Sequence, residues 1–321
     1  MSGSRRPGRT NLMSDPKSMT ATANAHVEIN RWTEQRRREK RKRLAVKVLL
    51  YAILIAAALA YISPFILSVI SMFKSDPDIS KHPMSFSFSR ALGSPSLQGL
   101  KGLNKDSVDF PRWMINSVFV TVVVVSGRIV IASLAGYALS RMKFRGQRLV
   151  FFLMVILMGI PGIVLIIPQF IMMKQLNILN SYWGIILPLL FDIADILVMK
   201  QFMEQIPREM EESAAIDGAS RFRTFRTVIL PMAAPGVLTL LILRTNGVWN
   251  EFVKVLIATP AAPQLRTLPV GLASLQGEFG TSVPWATMLS GAMLTTIPMA
   301  IMFFVFQKHF RQGLSSGAVK G

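Results

Sequence analysis

From residue 44 onward the chain alternates long apolar runs with short polar stretches. About 20 consecutive apolar residues suffice for a helix to cross a hydrocarbon core ~30 Å thick. Six runs reach that length: 44–73, 113–139, 149–173, 182–203, 227–257 and 285–306. The pattern predicts an all-α, polytopic membrane protein. Residues 1–43 read as a disordered tail ending in the basic run Arg36, Arg37, Arg38, Lys40, Arg41, Lys42 and Arg43. Residues 44–73 are the first spanning helix, 74–112 an extracytoplasmic loop punctuated by Pro77, Pro83, Pro95 and Pro111, 113–309 a five-helix core, and 310–321 a terminal tail. The first run is too long for the apolar part of a cleaved signal, and no small-residue cleavage site follows it.

Helix breakers interrupt most runs: Pro64, then Gly159, Pro161, Gly162 and Pro168, then Pro188, Pro231 and Pro235, and finally Pro298. Proline removes a backbone hydrogen bond and kinks a helix, and in a membrane the freed carbonyl needs a neighbour or water. Such a density fits a bundle that lines a pathway.

One polar passage, 207–226, stands between the fourth and fifth runs. Pro207 suits a helix start, and Glu209, Glu211 and Glu212 place negative charge in the first turns, where it complements the helix dipole. Ala214 and Ala215 leave the backbone nearly bare. Asp217-Gly218 offers a turn, with Gly supplying unusual backbone angles and Asp a cap. A second short helix carries Arg221, Arg223 and Arg226. The passage predicts a helix–turn–helix hairpin outside the membrane, with a small-residue surface for a partner.

Charge sets the orientation. The chain carries a formal +19 and no cysteine, which excludes a disulfide framework, thiolate chemistry and a cysteine metal site. Its basic residues cluster in the loops between apolar runs, the distribution of a membrane protein rather than of a nucleic-acid binder. Placing the amino terminus inside puts Arg141, Lys143, Arg145, Arg148, the 207–226 hairpin and Lys308 inside too, leaving only Lys174 and Arg266 in the short outer loops. The 74–112 loop is the exception, with its basic residues partly offset by Asp76, Asp78, Asp106 and Asp109. The expected location is the cell membrane, with both termini cytoplasmic.

Four ionisable residues fall at mid-span: Arg128, Asp192, Asp195 and Arg244. Each costs about 2.5–3.5 kcal/mol at the bilayer centre on insertion scales, so each should face the bundle interior or water. Asp192 and Asp195 share a helix face. Two readings stand open: an internal salt-bridge brace, or a pathway lining in which carboxylates, guanidinium groups and Asn246 bind a hydroxyl-rich solute. Trp249, Asn250 and Glu251 follow on the same run, where an indole can stack on such a solute or anchor at an interface.

Several motifs resemble one family. Glu212, Ser213, Ala214, Ala215, Ile216, Asp217, Gly218 and Ala219, followed by Ile229-Leu230-Pro231, look like the "EAA" loop of ABC importer membrane subunits, with Ser213 in place of the usual first Ala. Asn116-Ser117, the run Gly136 to Arg141, Trp249-Asn250-Glu251-Phe252, Leu268-Pro269-Val270-Gly271 and the small-residue end from Phe310 to Gly321 resemble the carbohydrate branch, specifically its maltose-type, second-position permeases. The resemblance implies the six-helix type I ABC importer fold with a cytoplasmic coupling hairpin that docks on an ATP-binding subunit. It implies as partners a second permease subunit, two ATP-binding subunits and an extracytoplasmic solute-binding protein. ATP and Mg would then be bound by those partners, and no cofactor by this chain. Arg244 and Asn246 depart from the family's usual apolar residues.

No G-x-x-x-x-G-K-[ST] phosphate loop is present, and His26, His82 and His309 have no metal-ligand spacing, so neither a catalytic nor a metal site is expected. The function implied is the permease subunit of an ATP-driven, binding-protein-dependent sugar or oligosaccharide importer. Alternatives are an importer of glycerol-phosphate-type or peptide solutes, an ion-coupled secondary transporter using the mid-span charges as a relay, or a non-transporting membrane anchor.

Overall fold

Proline, glycine and capping side chains decide where the helices of this chain stop. The computed structural model describes the backbone of residues 16–86, 95–105, 108–278 and 283–318, with side chains over 40–86, 95–105, 108–277 and 283–307. The chain divides into a unit through Ile66 and a unit from Leu67.

Helix α1 spans Pro16–Ser71. Residues 16–43, expected as a disordered tail, are therefore helical; residues 1–15 lie outside the described residues. The disorder reading followed their charge, but no Gly or Pro occurs between Pro16 and Pro64, and Ala, Glu, Gln, Arg and Lys are strong helix formers.

In the second unit, α2 (Asp76–Lys81) and α3 (Gln98–Gly102) form the described part of the 74–112 loop and pack on the last helix. Asp76 ties them: its carboxylate accepts from the backbone N–H of Ala286 at 2.7 Å and from Gln98 at 3.0 Å. Buried Lys74 donates to the Ser85 carbonyl. Burial lowers its pKa below the usual lysine range, with the Asp78 carboxylate opposing that shift.

Helix α4 (Phe110–Arg141) runs unbroken, with Pro111 in its first turn and the Asp109 carboxylate accepting from Arg112 N–H at 3.3 Å. Then follow α5 (Gln147–Met158), a 3-10 turn over Gly162–Leu165, α6 (Ile166–Gln175), α7 (Tyr182–Leu190), α8 (Ile193–Glu204), α9 (Glu209–Ile216), α10 (Arg221–Thr224), a π turn over Phe225–Ile229, α11 (Leu230–Met232), α12 (Ala234–Trp249), α13 (Val253–Ala258), α14 (Leu268–Glu278) and α15 (Trp285–Ala318).

Three stretches, Lys40–Ser71, Phe110–Arg141 and Trp285–Gln307, are long and apolar enough to cross a membrane, and the count reaches six if each of three bent helix pairs is one span. The bends are 93° between Gln147–Met158 and Gly162–Gln175, 44° between α7 and α8, and 70° between Arg221–Met232 and α12. Two coincide with expected breakers, Pro161 and Pro235; the third lies at the Phe191-Asp192 step, beyond Pro188, which α7 carries inside it. The fifth run, expected as 227–257, is not continuous. The Asn250 side chain turns back onto Asn246, the chain leaves the helix over 250–252, and Glu251 caps α13 by accepting from Lys254 N–H at 3.0 Å. The tail expected at 310–321 continues α15 as helix to Ala318.

Among the described residues the helices of this unit pack around α4, which lies along α7, α8, α12 and α14. Without a hydrophobic driving force between helices in lipid, close approach depends on small residues. Gly136 supplies one: a Cβ there would sit 2.9 Å from both the Lys200 amide nitrogen and the Met199 Cβ of α8. Gly136→Leu should therefore destabilise the protein by about 1–3 kcal/mol, the usual cost of overpacking. Gly277→Leu, where a Cβ meets nothing within 4 Å, should not. Melting temperature and monodisperse yield of the detergent-extracted complex check the pair.

Candidate functional site

The polar passage between the fourth and fifth spans folds as a hairpin. Helix α8 ends near Ile206, because a residue before proline is pushed out of the helical region. Glu209, Glu211 and Glu212 open α9, and Gly218 closes it in the left-handed region at φ +76°. The Gly218 N–H bonds to the Ala215 carbonyl and the Ala219 N–H to the Ala214 carbonyl, both at 3.0 Å, which is the Schellman ending. The two alanines thus supply the carbonyls that close the helix. The next helix is capped by Ser220, whose hydroxyl accepts from Arg223 N–H at 3.4 Å, rather than by Asp217. Glu212, Ser213, Ala215, Asp217 and Gly218 are exposed, while Ala214 and Ala219 are half-buried. Ile216 is 86% exposed and Phe222 64%, so apolar side chains project on either side of the turn.

Sequence reasoning took Arg141 as an orientation signal and as part of the Gly136–Arg141 family motif, not as a structural contact. It is the attachment of this hairpin. At the last turn of α4, with its side chain only 5% exposed, Arg141 forms an ion pair with Glu211 of α9 at 3.1 Å. The same guanidinium donates to the carbonyls of Ile206, at 2.5 Å, and Met203. The Tyr137 hydroxyl adds a bond to the Arg221 carbonyl at 3.4 Å, and its ring stands 5.0 Å from that of Phe225. The only sequence signal was a lone arginine ending an apolar run four residues after a tyrosine.

The four mid-span charges meet at the break between α7 and α8. Arg128 lies 3.3 Å from Asp192 and 3.5 Å from Asp195, and Arg244 lies 3.7 Å from Asp192 and bonds directly to Asp195. Arg128 also donates through Nε to the Leu189 carbonyl, which the break leaves without a helical partner. The Asp192 carboxylate starts α8 by accepting from Ala194 N–H at 3.0 Å. Asp195 is 1% exposed, whereas Asp192 and Arg244 keep 31% and 26% of their side-chain surface. The quartet is neutral overall and half-open on the Arg244 side.

Of the remaining residues on the fifth span, Asn246 and Asn250 are exposed and bonded to each other at 2.9 Å. They share one face of α12 with exposed Gly247, at the four-residue spacing of a helix. Trp249 points the other way: it is 4% exposed and donates to the Thr295 carbonyl of α15 at 3.3 Å. Its faces are covered by neighbouring helices, so the expected sugar-stacking surface is absent; Trp249 is core. Glu251 is occupied in capping α13.

Residues 128–316 match the family model described as binding-protein-dependent transport system inner membrane component. The chain is 31% identical over 290 residues to the trehalose/maltose transport system permease protein MalG of Thermococcus litoralis, covering 88% of this chain and 99% of that protein. It is 32% identical over 209 residues to the arabinooligosaccharides transport system permease protein AraQ of Halalkalibacterium halodurans, covering 65% of this chain and 74% of that one. In fold it is similar to a chain of a bacterial ABC transporter involved in the import of the acidic polysaccharide alginate, with a TM-score of 0.70 and 23% identity over 83% of this chain and 96% of that chain.

Breaking a buried ion pair by removing one partner typically costs about 3–5 kcal/mol, whereas removing both can be nearly neutral. Asp195→Asn should lower the amount of folded complex, and adding Arg244→Gln should restore it. Arg128→Gln should rescue less, because it also strips the Leu189 carbonyl of its donor. If the charges instead bind solute, each single variant stays assembled with weaker uptake and no double variant recovers it. Quantifying complex and uptake together separates the two accounts.

Proposed function

The chain belongs to the family of binding-protein-dependent transport system inner membrane components, and on that premise we propose that it forms half of the translocation pathway of an ATP-driven importer for a sugar or oligosaccharide. The other half is a second permease subunit. Two separate subunits bind ATP with Mg and hydrolyse it, and an extracytoplasmic binding protein delivers the solute. Both termini and the 207–226 hairpin lie in the cytoplasm.

The exposed hairpin carries this reading. Its polar helices present Ala215, Ile216 and Phe222 outward around a turn fixed by Gly218. Apolar surface held out of the bundle on a polar element marks a docking site. The sugar assignment draws on the transport systems for which the relatives are named, trehalose/maltose and arabinooligosaccharides. The exposed amides of Asn246 and Asn250, bonded to each other, add polar surface to an otherwise apolar span, of the chemistry that binds hydroxyl groups.

Gly218→Val forces a β-branched residue into the left-handed region, and Ala215→Glu adds bulk and charge to the docking surface. Both should abolish uptake of a labelled panel of trehalose, maltose and arabino-oligosaccharides while the subunit remains in the membrane. Normal uptake with both changes present overturns the docking assignment. Reporter fusions after Met173 and within 258–284 should read as outside, and those after Arg145 and Arg223 as inside. An outside signal at Arg223 would leave the hairpin no ATP-binding subunit to meet.

A further inference from the structure

Two polar contacts tie the described hairpin to α4, Glu211 to Arg141 and the Arg221 carbonyl to Tyr137, and the Arg141 guanidinium also holds the carbonyls that close the fourth span. Arg141 ends α4, the carbonyls of Met203 and Ile206 end the fourth span, and Glu211 sits in the first turn of α9. A guanidinium is planar, keeps its charge and carries five N–H donors in a fixed fork, so Arg141 can donate to the two carbonyls while its Nε stands 3.1 Å from the Glu211 carboxylate as an ion pair that completes no hydrogen bond. The negative end of a helix dipole and a carboxylate both favour a cation at this point. With its side chain 5% exposed, the guanidinium cannot exchange these partners for water without leaving its site.

We propose that Arg141 is the positioning residue of the hairpin. It fixes α9 to the cytoplasmic ends of α4 and α8 so that the three move as one rigid piece when an ATP-binding subunit moves the hairpin. Glu211 is its obligatory partner, and it is a different carboxylate from Glu212, which is exposed and free to face the docking partner. The assignment rests on the docking role proposed above.

The chain has no native cysteine, so two introduced cysteines report selectively. Spin labels at Ser213→Cys on α9 and Gln201→Cys on α8, both exposed positions, measure the hairpin against the fourth span in the assembled full complex. A second pair at Val122→Cys and Leu187→Cys reports on the packing of α4 with α7. In the otherwise unaltered chain the 213–201 distance should form a single narrow peak that is the same without nucleotide and after trapping with ATP, Mg and vanadate. Arg141→Gln and Glu211→Gln should each lose the single peak while the 122–187 peak stays narrow. Arg141→Lys, which keeps a positive charge near Glu211 but loses the planar fork on the two carbonyls, should give an intermediate width.

A narrow 213–201 peak in both glutamine variants, with ATP-binding subunits still co-purifying, overturns the proposal. So does simultaneous broadening of both pairs in Glu211→Gln, which assigns the contact to general folding. If Arg141→Gln does not accumulate, Glu211→Gln alone decides, since Glu211 is only half-buried. Failure of the docking reading looks different: ATP-binding subunits then co-purify equally with the unaltered chain and with Gly218→Val plus Ala215→Glu.

Discussion

A hydrocarbon core offers no water to a backbone carbonyl, so each helix break inside it must be answered by another part of the protein. Among the described residues three of the apolar stretches are bent, and one long unbroken helix, α4, answers the break between α7 and α8 and holds irregular chain at the ends of other stretches. At one end of α4, Asn116 donates to the carbonyls of Gln264 and Arg266, each at 2.9 Å, and accepts from the Tyr182 hydroxyl at 2.7 Å. Beside it Ser117 accepts from Leu268 N–H at 2.8 Å. In the middle, Arg128 takes the Leu189 carbonyl at the break of the fourth span. At the other end, Arg141 takes the carbonyls that close it. Polar side chains at three depths of one helix thus hold the irregular segments of the others.

The middle tie explains the charge quartet. A guanidinium placed to bond a freed carbonyl brings a full positive charge into the bundle, and an unpaired charge there is costly. Asp195 answers it from α8 and Asp192 from the helix start itself, and the second carboxylate in turn calls for Arg244. The set closes at two positive and two negative groups. Replacing any one side chain by a neutral one unbalances the rest, so the four residues behave as a single unit joining α4, α8 and α12.

Much of this was legible in the sequence. The apolar runs gave the candidate spans, Pro161 and Pro235 marked two of the three bends, and Gly218 in a polar passage between runs pointed to the left-handed turn that closes α9. Mid-span charges of both signs raised the pairing that the geometry displays. What stayed hidden depends on which way a side chain points. Trp249 reads as a sugar platform or an interfacial anchor, and neither reading foresees the burial that α15 gives it. Arg141 is one of several arginines and lysines near the ends of spans, and its pairing with Glu211 crosses 70 positions of chain that no local pattern connects. The helical reach of residues 16–43 was masked by a charge density that signals disorder and helix propensity alike.

The two ends of the hairpin are held by different forces, which decides how movement passes through it. Its entry is held by one buried guanidinium, through directional hydrogen bonds to the carbonyls that close the fourth span and an ion pair with Glu211. Its exit runs through a π turn, a rare element that often marks functional sites, and then through the 70° bend before α12. That exit is seated by apolar contacts, with Phe225 against Tyr137 and Ile229 fully buried, and such contacts tolerate small sliding because they have no preferred direction. A displacement at Ala215 therefore reaches α4 and α8 as a rigid movement. It reaches α12, with Asn246 and Asn250 on its exposed face, through a joint that can change angle.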